Sequence, residues 1–132
     1  MVTEDAMSDV NLGFALAAIL AAAGFAVHCI LGSRAVVRPL LAARDITPVS
    51  RWINFFTFHI ATILLAFMAA GFSWAAIRAD AADIAIGLTA LAVSLAVLCL
   101  GVCLRARFRP WRVPPFDLFV LVSLAGLWGV LA

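Results

Sequence analysis

Four long stretches of the chain are apolar and carry no charged side chain: residues 10–33, 52–77, 84–104 and 118–132. A helix of about 20 apolar residues crosses the hydrocarbon core of a bilayer, and the first three stretches reach that length unaided. The pattern therefore predicts an all-α integral membrane protein, a four-helix transmembrane bundle with antiparallel, up-down helices. We expect one transmembrane domain over residues 1–132, with spans at about residues 11–32, 52–77, 84–104 and 115–132.

The fourth span is the shortest, because its uncharged stretch begins only after Asp117. Starting that helix at Pro115 lengthens it to about 27 Å at 1.5 Å per residue, which just crosses a bilayer. Proline suits the first position of a helix, where its missing amide costs nothing, and Asp117 then lies near the positive end of the helix dipole. We therefore expect the last helix to begin at Pro115.

The composition excludes several classes of protein. Hydrophobic residues make up 67% of the 132 residues and charged residues only 12%. A water-soluble domain of this size cannot bury so large an apolar fraction in one core, which excludes a soluble enzyme, a disordered tail and a nucleic-acid-binding module. The expected partner is the lipid bilayer, with a homo-oligomer or a larger membrane complex as further assembly and no nucleic acid.

The N-terminal residues argue against a cleaved signal peptide. Such a peptide begins with a basic segment, whereas Glu4, Asp5 and Asp9 precede the first apolar stretch and no Lys or Arg does. We expect this stretch to remain as a permanent span. All three cysteines fall within predicted spans rather than in the paired loop positions of a secreted disulfide framework, so we expect free thiols.

The basic residues predict the orientation in the membrane. All nine are arginines, and only Arg78 lies in the second connection, beside Asp80 and Asp83. By the positive-inside rule, the first and third connections face the cytoplasm and both termini lie outside. Because both connections point the same way, we expect a single orientation rather than dual topology. Their arginines are Arg34, Arg38, Arg44, Arg51, Arg105, Arg107, Arg109 and Arg112.

Tryptophans beside arginines mark the expected cytoplasmic interface. Trp52 follows Arg51, and Trp111 lies between Arg109 and Arg112 just before the fourth span. An indole with a neighbouring guanidinium is typical of an interfacial anchor, since its ring sits at headgroup level. The aromatic residues and the charges therefore predict the same membrane boundary.

The first connection, residues 33–50, is not wholly polar. Its apolar run over residues 36–41 is interrupted by Arg38. This pattern is typical of a segment that lies in the headgroup layer while its arginine reaches outward, and an ordinary loop is the alternative. Ser50 is the expected N-cap of the second helix.

Small residues recur along each span in steps of three and four, the spacing of a left-handed bundle. Helices in lipid associate through close packing of such residues and through occasional polar contacts. We expect the inward faces to comprise Ala17, Ala21, Gly24 and His28; His59, Thr62, Ala66, Ala69 and Ser73; Thr89, Ala92, Ala96, Cys99 and Cys103; and Phe119, Ser123 and Gly126. Large residues then face lipid or a second protomer: Phe56, Ile60, Ile63 and Phe67. On the third span a second stripe fits almost as well: Gly87, Ala90, Ser94 and Gly101.

Ionisable side chains inside membrane spans are costly and by default suggest function. Those in this chain share a similar expected depth, because helical rise places each of them within about 12 Å of the cytoplasmic arginines. They could therefore converge on one site in the cytoplasmic half of the bundle. The candidates are His28, His59 and Asp117, with Cys99, Cys103 and Asn54 as partners.

Three interpretations of that convergence remain open. A transition metal could take imidazole and thiolate ligands from His28, His59, Cys99 and Cys103, although the four-residue spacing of the cysteines departs from usual paired-thiol motifs. A haem cofactor could take the two histidines as axial ligands. Alternatively no cofactor binds, each neutral histidine bonds a carbonyl or a hydroxyl such as that of Thr62, and the cysteines act as small apolar residues.

No catalytic, nucleotide-binding or phosphate-binding motif occurs, so the sequence assigns no enzymatic activity. Four-span multidrug exporters carry a glutamate in the first span, whereas Glu4 is the only glutamate here. Four-span fluoride channels use dual topology and a broken helix, neither of which this pattern predicts. We expect a structural, accessory or assembly role. A redox protein that binds haem or a metal and an oligomeric transporter of small solutes or protons are the alternatives.

A set of residues centred on the first two spans resembles that of a group of uncharacterised bacterial four-span inner-membrane proteins. The set is His28, Gly32, Arg38-Pro39-Leu40-Leu41, Phe58-His59 and Thr62. The group often has tryptophan at the position of Phe58. The resemblance covers most of the chain and implies a four-span fold in a bacterial inner membrane. It implies nothing about mechanism, because the group carries no assigned activity.

Overall fold

A computed structural model describes residues 10–132, which are almost entirely helical and contain no strand. Four helices are long and apolar enough to cross a membrane, as the apolar stretches predict. They are α1 (Leu12–Ala42), α2 (Pro48–Ile77), α3 (Ala82–Ala106) and α4 (Pro114–Leu131). The N-terminal acidic residues Glu4, Asp5 and Asp9, and the prediction drawn from them, lie outside the described residues.

α1 continues well past the predicted end of the first span. It is α-helical over Leu12–Val27, π-helical over His28–Val37 and α-helical again over Arg38–Ala42. The alternative of an ordinary loop over residues 33–50 is therefore wrong, because only residues 43–47 between the two helices are non-helical, while the location of this segment in the headgroup layer stays a prediction. A continuous helix keeps the amides and carbonyls of this largely apolar segment bonded to one another, which a location near hydrocarbon requires.

Caps and prolines set where the later helices begin. Thr47 is the N-cap of α2: its hydroxyl accepts a hydrogen bond from the Ser50 amide at 3.2 Å, and Pro48 occupies the first turn. The prediction of Ser50 as the N-cap is therefore wrong, because Ser50 is the residue whose amide Thr47 caps. α4 begins at Pro114, one residue before the predicted start, and Asp117 lies in its first turn as expected.

α1 packs against both α2 and α4, while α3 packs against α4 and, less extensively, against α2. Asn11 joins three helix ends at one end of the bundle. Its backbone amide donates to the carbonyl of Ala76 at 2.9 Å, and its side-chain Nδ2 donates to the carbonyl of Gly129 at 2.7 Å. Farther along α1, Gly24 faces the side chain of Leu118. The start of α1 therefore lies beside the ends of α2 and α4, and its middle lies beside the start of α4.

Three of the four predicted inward faces are buried. On α1, Ala17, Ala21 and Gly24 are buried, and on α4, Ser123 and Gly126. On α3 the first of the two candidate stripes faces inward, whereas the second stripe is exposed, with nothing within 4 Å of a Cβ placed at Gly87 or Gly101. The buried members of the inward stripe are Thr89, Ala92 and Cys103.

The predicted inward face of α2 is wrong at three of its five positions, whereas Thr62 and Ala69 are half-buried. His59, Ala66 and Ser73 are exposed, while the buried positions of this helix are Leu65, Met68, Phe72, Ala75 and Ala76. The cause is complementarity between unlike surfaces: α1 presents alanines, so the space between the helices is filled by large side chains from α2. Phe72 is fully buried, and its ring centroid lies 6.3 Å from that of Phe14 on α1. The large residues expected on the outer face of α2 are exposed as predicted: Phe56, Ile60, Ile63 and Phe67.

Candidate functional site

His28 is the ionisable side chain that the fold uses between helices. It is half-buried at the first position of the π-helical segment of α1. Its Nε2 lies 3.1 Å from the backbone carbonyl of Phe58 on α2, and its ring stacks on the Phe58 ring with centroids 4.1 Å apart and planes inclined by 18°. A carbonyl only accepts hydrogen bonds, so Nε2 is the donor in this contact.

Phe58 organises the contact between α1 and α2 at this level. Its carbonyl also accepts a hydrogen bond from the hydroxyl of Thr62 at 3.2 Å. Its ring covers Gly32, one turn beyond His28, where a Cβ would lie only 3.0 Å from ring carbons Cε2 and Cζ. Glycine is therefore required for the ring to approach the backbone this closely. Thr62, a predicted polar residue of the second span, therefore shares the Phe58 carbonyl as acceptor with His28.

His59 faces away from this contact. It is exposed, and its ring meets those of Phe55 and Phe58 edge-on, with centroids 4.5 Å and 5.6 Å apart. The residue that faces α1 at this level is Phe58, and the next residue along a helix is rotated by about 100°. His28 and His59 consequently contact the same phenylalanine but do not face one interior site. Both histidines could serve as axial ligands of one haem only after His28 gave up its bond to the Phe58 carbonyl.

The predicted thiol ligands lie on another part of the bundle. Cys103 is buried and Cys99 is half-buried, one helical turn apart on α3. The four predicted metal ligands are not brought together. Within residues 10–132, no group of three or more His, Cys, Asp or Glu side chains is arranged to hold a metal ion.

Of the other predicted polar residues, Asn54 bonds within its own helix, and Asp117 is exposed in the first turn of α4. Asn54 is exposed, and its Nδ2 donates to the Ser50 carbonyl at 2.8 Å, one turn back on the same helix. Hydroxyls within the helices also return to the carbonyl four residues back, as Thr89 does to Ala85 at 2.7 Å. Within residues 10–132 these hydroxyls donate to backbone carbonyls. The predicted interfacial residues Trp52, Trp111, Arg38, Arg109 and Arg112 are all exposed.

Sequence reasoning missed the structural role of Asn11. Its Oδ1 accepts the amide of Phe14 at 3.0 Å and so caps α1, while its other groups bond α2 and α4. The signal was available, because an asparagine directly before a long apolar stretch is a typical N-cap. A small cavity of about 270 Å³ beside Asn11 is lined mainly by apolar residues such as Phe14, Ala76 and Ile86.

No protein-family model, curated protein or solved structure matches the chain. The described residues offer one histidine used in helix packing, one histidine exposed on an apolar helix face, and hydroxyls bonded within their own helices.

Proposed function

We propose that this chain is a multi-pass protein of a bacterial inner membrane with a structural, accessory or assembly role, and that it forms an antiparallel bundle with both termini outside. Two contacts support this topology: Gly24 with Leu118, and Gly32 with Phe58. They place both arginine-rich connections toward one end of the bundle, where α1 and α2 extend past the level of the start of α4. Eight of nine arginines then lie at that end, which the positive-inside rule assigns to the cytoplasm.

The second connection, at the other end, carries little unpaired charge. Arg78 forms an ion pair with Asp80, with Nη2 and Oδ2 3.0 Å apart. The hydrogen bond from Arg78 to this carboxylate and the attraction between their charges raise the pKa of the arginine. The paired carboxylate of Asp80 compensates the positive charge of Arg78. Arg78 therefore opposes the proposed orientation less than an isolated arginine would.

The exposed position of His59 is the observation that carries the accessory role. It lies within an outer seam of α2, a row of exposed residues in alternating steps of four and three. An ionisable side chain at membrane depth is costly when it faces lipid, and such residues normally face protein or water. A helix from another chain that covers this face would remove that cost. The outer seam comprises Trp52, Phe56, His59, Ile63, Ala66, Ala70 and Ser73.

Cysteine crosslinking in native membranes tests this proposal. In a full-length, cysteine-free background, Ile63→Cys on the outer seam should crosslink to a neighbouring protein. The matched control is Leu124→Cys on α4, because both side chains are 58% exposed and leucine and isoleucine are equal in size. A crosslink to a second copy identifies a homo-oligomer, and a crosslink to another membrane protein identifies a complex. Equal labelling at the two positions, or none at Ile63→Cys, overturns the proposed seam.

Three further measurements separate the proposal from its rivals. His59→Leu should change the set of proteins that co-purify with the chain from native membranes, whereas a lone bundle would show no change. The purified protein should be colourless and metal-free, since a Soret band or stoichiometric metal would establish the redox alternative. Alkaline phosphatase fused after Ala132 should be active, and an inactive fusion would reverse the orientation.

A further inference from the structure

Three arginines meet at an open bay in the connection between α3 and α4. Arg107, Arg109 and Arg112 line it together with Phe108 and Val113, around a volume of about 500 Å³. All three arginines are exposed. Within residues 10–132 none of them has a carboxylate at ion-pair distance, since the one ion pair found there joins Arg78 to Asp80. The arginine bay therefore concentrates three positive charges that the described part of the chain does not neutralise.

The backbone holds one of these arginines in an unfavourable conformation. Arg107 follows α3 as its C-cap with φ of 59°, in the left-handed region that a Cβ disfavours and where glycine is the usual residue. The turn is fixed by the amide of Phe108, which donates to the Cys103 carbonyl at 2.8 Å. An arginine at a position that favours glycine is a local strain, and such strain is found at ligand-binding sites.

The surroundings of the bay indicate the chemistry of its ligand. Guanidinium groups bind phosphate oxygens through paired hydrogen bonds, and several arginines together favour an anionic phosphate group. Around the bay the surface is apolar and exposed: Phe108 is 63% exposed, Trp111 66% and Leu104 66%. Exposed apolar residues continue along α3 from Leu104 through Val97. A ligand with a phosphate head and hydrocarbon chains would satisfy both surfaces, whereas free phosphate would use only the bay.

We propose that the arginine bay binds the phosphate headgroup of an anionic phospholipid, whose acyl chains lie along the exposed face of α3. The proposal rests on the membrane location argued under the proposed function. Basic pockets on the cytoplasmic side of membrane helices are suited to such headgroups, because each arginine near an anionic membrane surface gains favourable electrostatic energy. The arginine bay thus holds the lipid headgroup beside the start of α4, the shortest of the four long helices.

Lipid binding to the full-length protein in neutral detergent provides the test. Phosphatidylglycerol and cardiolipin should remain bound in native mass spectrometry and should raise the melting temperature, and phosphatidylcholine should do neither. Inorganic phosphate at the same concentration should have no effect. Stabilisation by inorganic phosphate alone would show that the ligand is a free anion and would overturn the lipid assignment.

Matched arginine variants distinguish a specific bay from general attraction. Arg109→Gln combined with Arg112→Gln should weaken binding of the anionic lipid at least tenfold. Arg34→Gln combined with Arg44→Gln removes the same charge from α1 and the connection that follows it, and should leave binding within about twofold. Equal weakening by both pairs would show that net charge alone attracts the lipid, and the bay would then not be a site.

Arg107→Gly keeps the proposal testable if the double variant folds poorly. Glycine relieves the left-handed backbone, so this variant should melt at the same or a higher temperature than the parent without lipid, yet respond less to phosphatidylglycerol. An undiminished response would overturn the role of Arg107 in the bay. Lipid binding is measured on the purified protein in detergent, whereas crosslinking at the outer seam of α2 is measured in native membranes. A failure of lipid binding is therefore distinguishable from a failure of the crosslinking.

Discussion

Replacing Gly13 by alanine should destabilise the protein by about 2 kcal/mol. A Cβ at this position would overlap the backbone N and Cα of Gly129 and would lie 3.0 Å from the carbonyl oxygen of Ala125. All three atoms belong to the backbone of α4, so no side chain can rotate out of the way. The beginning of α1 and the end of α4 would have to move apart.

The magnitude follows from three contributions. Inserting a methyl group into a closely packed contact costs about 1–3 kcal/mol. Separating the helices also weakens the bond from Asn11 Nδ2 to the Gly129 carbonyl, now 2.7 Å long, at about 1 kcal/mol. In the opposite direction, alanine favours a helix over glycine by about 0.5–1 kcal/mol. For a chain of this size the net loss corresponds to a fall in melting temperature of roughly 6–8 °C.

Gly101→Ala is the matched control, since nothing lies within 4 Å of a Cβ at that position on α3. It should keep or raise the melting temperature, because only the gain in helix propensity remains. Both variants can be followed by the thermal unfolding of the full chain in the same detergent. If they shift the melting temperature in the same direction by similar amounts, the close approach of α1 to α4 is wrong.

Two further predictions concern the packing of the other helices. In a cysteine-free background, Thr89→Cys with Gly126→Cys should form a disulfide on oxidation. A Cβ at Gly126 lies 3.2 Å from the Cβ of Thr89, near the Cβ–Cβ distance of a disulfide. A mass that still shows two free thiols after oxidation would contradict the contact between α3 and α4. His28→Leu should lower stability in detergent by about 1 kcal/mol through loss of the bond to the Phe58 carbonyl, whereas His59→Leu should leave the isolated chain unchanged. The opposite ranking in a denaturant titration would exclude the packing role of His28.

The sequence alone identified the four helices, because the signal for them is local. A span must be apolar over its whole length, and the charged residues that interrupt the apolar stretches therefore mark its limits. The same local reasoning placed Asp117 in the first turn of the last helix. It did not predict that the first helix continues to Ala42, because the apolar run interrupted by Arg38 indicated an interfacial segment or a loop without fixing its conformation. Exposed arginines are compatible with either conformation, since a long side chain reaches water from a helix.

The sequence also identified the inward faces of α1, α3 and α4, where small residues pack closely. It misplaced the inward face of α2, because the rule that small residues face inward applies only when both helices contribute them. Met68 and Phe72 fill the space left by the alanines of α1, and both are fully buried. The alanines on one helix therefore determine that the other presents large side chains, which is a property of the pair and not of either sequence segment.

The same rotation of α2 decided the candidate site. From the sequence, His28 and His59 lay at similar depth, and each continued the small-residue stripe of its helix. Depth depends only on position along a helix. Whether two side chains meet depends on the angle at which each helix turns toward its neighbour. Tertiary packing places Phe58 against His28 and leaves His59 exposed. The sequence thus determined which residues lie at which level of the bundle, and only the packing of large side chains against small ones decided which of them face each other.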